Sequence, residues 1–283
     1  MSDGHPHIHW TLDPAILLAL ALYAGVYTWR FRAARRELRQ RGRVAGSRSG
    51  AGWLQAAAFG LGLLALFAAL VSPIDRLGED YLFSAHMVQH VLIGDIAPVL
   101  LLLGLSRVIL RPATRRLMVI ERSLGPLAHP ATGLVLWFAL IYFWHIPALY
   151  DAALEHPLAH ALEHASFFTA GVAVWWPLIQ PVPMRRRLHG LWTFAYIGAA
   201  KLGLGVLGIY LAWSSSVAYE YYESVPRIWG LTAVEDQNVG GGIMMVEQSI
   251  VFVIAFVTLF VRMLVQSERE DQRQERLEDA ATA

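Results

Sequence analysis

Apolar residues gather into runs near 14–31, 52–72, 82–104, 131–149, 158–179, 191–213 and 240–264, separated by shorter polar stretches. Each run is long enough to cross about 30 Å of hydrocarbon as a helix. Backbone groups in lipid must pair within their own segment, so the runs predict helices. The pattern therefore predicts an all-α fold: a polytopic membrane bundle of seven transmembrane helices. The fifth run is the least continuous, because His156, His160, Glu163 and His164 interrupt its start.

Composition agrees with the pattern. The 283 residues include only 16% charged side chains, and mean hydropathy is +0.44. Both values exclude an ordinary soluble domain. The net charge of +1 hides a segregation. Arginines crowd 30–48, 107–122 and 185–187, and return in the C-terminal tail among acids. The alternate connections hold only Arg76 in 73–81, nothing in 150–157 and Arg227 in 214–239. Basic residues mark the cytoplasmic side, so the N-terminus is predicted outside and the C-terminus in the cytoplasm. The predicted organisation is an extracytoplasmic His-containing tail over 1–13 and a seven-helix membrane domain over 14–264. A flexible cytoplasmic linker lies near 32–51 within that domain, and a charged cytoplasmic tail follows over 265–283. No basic stretch precedes the first apolar run, so no cleaved signal peptide is expected. No feature suggests a nucleic-acid partner; the lipid bilayer is the partner that composition implies.

Cysteine is absent, which excludes disulfides, thiolate metal sites and iron–sulfur clusters. Soft-metal chemistry falls to His and Met. On the predicted topology nine of the 11 histidines lie toward the outer face. His86 and His90, in HMVQH, share one helix face at i and i+4, with Met87 near that face. His156, His160 and His164 form a stripe at four-residue spacing, and His145 ends the fourth run. Asp236 and Gln237 precede a Gly-Gly-Gly start to the seventh run, followed by Met244, Met245 and Glu247. With that run starting near Gly240, Glu247 is predicted roughly 10 Å deep, level with His86, His90, His160 and His164 at roughly 5 to 13 Å. Ionisable groups at such depth usually face a bundle interior and a partner. His86, His90, His145, His160 and His164 are therefore candidate metal ligands. Asp236, Gln237, Glu247, Met87 and Met244 are candidate orienting or gating residues. His5, His7 and His9 could be an exposed tail or a loose metal-catching arm.

The residues alone leave the occupant open. Imidazole suits copper, zinc and iron, and nearby thioethers tilt the choice toward Cu(I). Two facing histidines could instead hold b-type haem in an electron-transfer protein. His160-Ala-Leu-Glu163-His164 also fits the short H-x-x-E-H zinc hydrolase pattern. Asp95 and Lys201 fall in a common deeper layer and are read as a buried ion pair. A relay through them would make the protein a copper- or proton-coupled transporter.

Several segments together resemble one family, the CtaG-type cytochrome c oxidase assembly factors, seven-span proteins of bacterial cytoplasmic membranes. They are SPIDRLGEDYLFSAHMVQH (72–90), APVLLLLGL (97–105), FWHIPALYDAALEHPLAHALEHASFF (143–168), WWP (175–177) and DQNVGGGIMMVEQS (236–249). The resemblance runs from about Ala51 to Met263; Met245 stands where the family commonly has an aromatic. It implies a non-enzymatic role in maturing haem–copper oxidases, with oxidase subunits as partners and copper as the metal supplied. It maps the family's outer-face histidines onto His86, His90, His145, His160 and His164, and its acidic-Gln motif onto Asp236 and Gln237.

Overall fold

A computed structural model describes residues 9–42, 44, 46 and 50–282. His5 and His7, and most of the 1–13 tail, lie outside the described residues. All regular elements among the described residues are helical. They are α1 (Pro14–Gln40), α2 (Trp53–Leu70), α3 (Pro73–Asp80), α4 (Phe83–Val91), α5 (Ala97–Gly104), α6 (Arg111–Leu124), α7 (Pro130–Trp144), α8 (Pro147–Glu155), α9 (Pro157–Ile179), α10 (Leu191–Trp213), α11 (Tyr221–Ser224) and α12 (Ala233–Thr282). A π-helical turn, Leu92–Ile96, joins α4 to α5 as one bent rod.

Local chemistry fixes the starts. Proline opens α1, α3, α7, α8 and α9, where its missing N–H costs nothing and its φ suits a first turn. The Asp13 carboxylate accepts from the Ala15 and Ile16 amides at 2.7 and 3.3 Å, and Ser72 Oγ accepts from the Ile74 amide. The π turn has its own cause. Pro98 has no N–H to offer the Gly94 carbonyl four residues back. The Ala97 amide reaches instead to Leu92, five residues back. Gly171 of α9 packs against that freed carbonyl; a Cβ there would collide with it. The close approach permits a Cα–H contact to the oxygen.

Five helices are long and apolar enough to cross a membrane, six if the bent pair Arg111–Ala128 and Pro130–Trp144 is one span. The seven predicted runs each coincide with a helix, with differences. The fourth, α7, has only 15 residues of its own. The fifth, α9, has 23 residues but is diluted by the polar group at its start. The first helix runs on to Gln40 where a linker near 32–51 was expected, because Phe31, Ala34 and Leu38 pack onto Ile109 and Phe59. The connection that remains begins at Arg41. The last helix begins at Ala233, seven residues before the expected start, so Asp236 and Gln237 are helical.

The main core gathers Phe83, Met87, Ile93, Trp137, Tyr150, Phe167, Trp175, Leu211 and Met244. α10 and α12 approach closely where a Cβ on Gly241 would strike the α10 backbone at Gly208 and Leu211. The outer faces of α10 and α12 remain apolar, with Leu202, Val206, Ile209, Val253, Ile254 and Val257 exposed. So much contiguous exposed apolar surface is foreign to soluble monomers.

Candidate metal centre

Two helices build the centre. α4 carries His86 and His90 one turn apart; α9 carries His160, Glu163 and His164 on one face. Asp236 of α12 fixes the start of α4. Its two carboxylate oxygens accept from the Phe83 and Ser84 amides at 2.7 and 3.1 Å, a charge placed where the helix dipole favours it. Gln237 accepts from the Ala218 amide and donates to the Ser216 carbonyl, tying down the 214–219 loop. These residues therefore hold the scaffold and do not face the imidazoles.

The rings come together. Centroids of His86 and His90 are 4.1 Å apart, His160 and His164 4.1 Å, His86 and His160 5.3 Å, and His90 and His164 5.5 Å. One ligand atom from each of His86, His160, Glu163 and His164 lies within 4.8 Å of the others. Glu163 is fully buried, and both its carboxylate oxygens lack hydrogen-bond partners. Its closest cationic candidate is His90 Nε2 at 3.7 Å, beyond hydrogen-bond range.

Neighbours set the tautomers. Glu79 Oε1 lies 2.9 Å from His160 Nδ1, an ion-pair contact that favours a proton on that nitrogen. Tyr222 donates to the Gly78 carbonyl at 2.6 Å, so its oxygen can only accept from His86 Nδ1, 3.0 Å away. Tyr150 OH adds a second contact to the same nitrogen at 2.9 Å. His145 Nδ1 donates to the Ile141 carbonyl at 2.8 Å. With Nδ1 protonated, Nε2 carries the lone pair, the form a metal needs. The Nε2 atoms of His86, His145 and His160 are all buried and unpartnered, as is Nε2 of His164. Buried polar atoms without partners are costly, and a cation among them removes that cost. The donor set thus fits a metal ion.

Asp75 braces α4 from outside the centre. It accepts from Gln89 Nε2 and from Thr11 Oγ1, both at 2.7 Å. Burial raises its pKa above the ordinary carboxylate range, although those two hydrogen bonds pull the other way.

Not every predicted residue joins the centre. His145 stands beside His90, at 6.3 Å between ring centroids, and is not among the four residues whose ligand atoms cluster. Met87 and Met244 line a cavity with His90 and His145. His156 caps the start of α9 and is exposed. Glu247 is displaced from the expected layer: counted from Ala233 it lies about 21 Å along its helix. It accepts from Gln248 there and approaches Asp95. Asp95 pairs with Lys201, as its depth predicts, and also accepts from Trp175 Nε1 and Gln248 Nε2. Lys201 sits over the Trp175 and Trp137 rings. Sequence reading includes Glu163 only through H-x-x-E-H, whose spacing is the one cue that places it beside His160 and His164. Glu79, Tyr150 and Tyr222 carry no cue of their own.

Fold and centre define an apolar helical bundle built around a buried imidazole–carboxylate donor set. The chain belongs to the cytochrome c oxidase caa3 assembly factor family, which it matches over residues 25–266. It is 28% identical over 196 residues to uncharacterized proteins of Mycobacterium bovis and Mycobacterium tuberculosis, covering 61% of this chain and 29% of each relative. A Mycobacterium leprae protein, also uncharacterized, is 26% identical over 243 residues, 78% of this chain and 36% of the relative. The chain therefore spans about a third of the length of these curated relatives. No solved structure matches it.

Proposed function

We propose that the protein holds a copper ion at His86, His160, Glu163 and His164 and passes it to the catalytic subunit of a cytochrome c oxidase during assembly. The observation that carries this reading is Glu163. A carboxylate with both oxygens buried and unpartnered, facing imidazole lone pairs, is built for a cation. Copper is favoured over zinc at nitrogen–oxygen sites by the affinity order of divalent ions. The set is also slightly open. Ligands around a four-coordinate ion at about 2.1 Å lie about 3.4 Å apart, so the residues close by under about 1 Å each on binding. An incomplete, adaptable site suits a carrier that must release its metal.

The centre lies in a membrane bundle of seven crossings in this reading, with the histidine end extracytoplasmic and the C-terminal tail cytoplasmic. Exposed Trp192 and Trp213 bracket α10 at a separation of about 32 Å, close to the hydrocarbon thickness. The location that follows is a bacterial cytoplasmic membrane. Haem is the weaker occupant. Four rings already fill the layer, and the cavity beside them measures about 30 Å³, far below the several hundred needed for a macrocycle.

Metal analysis and absorption spectroscopy of the detergent-purified protein test the proposal. Copper is expected to bind without a Soret band, and His160→Ala/His164→Ala is expected to lose the ion held at the centre. A Soret band that disappears in His90→Ala, or copper binding unchanged in the double variant, would overturn it.

A further inference from the structure

Below the centre, α4, α7, α9, α10 and α12 enclose a second, smaller space. Its volume is about 30 Å³, and its lining includes Met87, His90, His145 and Met244. We infer that this chamber is a second copper site, selective for Cu(I), distinct from the carboxylate centre and adjoining it through His90. The inference rests on the copper reading of that centre.

Three features carry it. First, His145 is about nine-tenths buried, and its Nε2 is a lone pair with no partner. The Ile141 carbonyl fixes that tautomer by taking the Nδ1 proton. Second, both ring nitrogens of His90 are buried and unpartnered. One of them, Nε2, faces Glu163 at 3.7 Å, and the ring also lines the chamber. His90 thus borders two donor sets at once. Third, two thioethers from different helices, Met87 and Met244, line the same space. Nitrogen and thioether donors without a carboxylate select Cu(I), whereas the His–Glu set above is harder. The room available would hold about two waters, enough for one ion drawn in among four side chains.

The backbone explains why the chamber exists. After His90 the π turn adds a residue to the helical repeat, so Asp95 stands below His90 on one face. Between them stand Val91 and Gly94; Gly94 brings no side chain and Val91 only a short one, which leaves the space open. Asp95 is no ligand, because Lys201, Trp175 and Gln248 already occupy its oxygens.

Loading with Cu(II) followed by anaerobic Cu(I), counted against a colorimetric chelator and read by X-ray absorption of the loaded protein, tests the inference. The wild type is expected to take two equivalents with sulfur in the coordination shell. Met87→Leu/Met244→Leu conserves volume and is expected to take one equivalent with no sulfur scattering. His160→Ala/His164→Ala is expected to keep one equivalent with its sulfur. Met244→Leu alone serves if the double variant does not fold, and is expected to halve the sulfur signal. One equivalent in the wild type with nitrogen and oxygen ligands only would overturn the chamber and leave the upper centre standing. Two equivalents in the methionine variant would do the same. No binding at all would overturn both.

Discussion

In the centre and the chamber beside it, His86, His145 and His160 share one local device. Each has its Nδ1 proton taken by a neighbour, which turns Nε2 inward as a lone pair. The neighbours differ in kind (a tyrosine, a backbone carbonyl, a glutamate), so no motif announces them. The histidines themselves are legible, because i, i+4 spacing on two predicted helices puts each pair on one face. Their partners arrive from distant parts of the chain and are visible only in three dimensions. Asp75 shows the same limit. No spacing in the sequence singles it out, yet it is buried against Gln89 and Thr11. Its pKa is raised in the fold, chiefly by burial. The folded state then holds its proton more tightly than the unfolded chain. Stability is therefore greatest below the ordinary Asp value of about 4 and falls as pH rises through the raised value. Asp75→Asn keeps the acceptor for Gln89 and removes the ionisation. We expect it to flatten the decline in melting temperature as pH rises above about 4 in detergent. An unchanged slope would show that Asp75 is not its source.

Between elements, depth arithmetic succeeds or fails with the helix ends it starts from. Asp95 and Lys201 lie on helices whose bounds match the predicted runs closely, and they meet. Glu247 was counted from Gly240, but α12 begins at Ala233. Thr232 and Glu235 supply the start: the Thr232 amide donates to the Glu235 carboxylate and the Glu235 amide to Thr232 Oγ1. That capping box is readable in sequence, and it moves Glu247 down by two turns, to Asp95. The π turn is a harder case, since Pro98 alone does not say whether a helix will kink, break or bulge. Burying Asp95, Lys201 and Glu247 together makes the pair's integrity decisive. Lys201→Met leaves Asp95 uncompensated and is expected to cost about 3–5 kcal/mol. Adding Asp95→Asn should restore most of that loss, because a neutral pair no longer strands a charge. Denaturant or thermal unfolding of the purified variants checks both. A double variant as unstable as the single one would show that the lysine acts by packing over Trp137 and Trp175 rather than by charge.

Over the whole molecule, the all-helical bundle and its apolar exterior follow from the hydrophobic runs, since seven runs meet seven helices. Span count by length and apolarity is lower, five or six, because polar residues dilute one helix and a turn shortens another. α9 gives its outer turns to His160, Glu163 and His164, and α7 is cut short at His145, where the chain turns into α8. The helices least like membrane spans are thus α9, which carries three residues of the centre, and α7, which ends at His145 beside it. The chain combines that trade with membership of a family of oxidase assembly factors.

The most direct test of that role is the copper content of cytochrome c oxidase purified from cells carrying His160→Ala/His164→Ala in place of the wild-type chain, with the amount of this protein in the membrane measured alongside. Oxidase deficient in copper, at unchanged levels of the variant, is the predicted result. Oxidase with its full copper complement would contradict it.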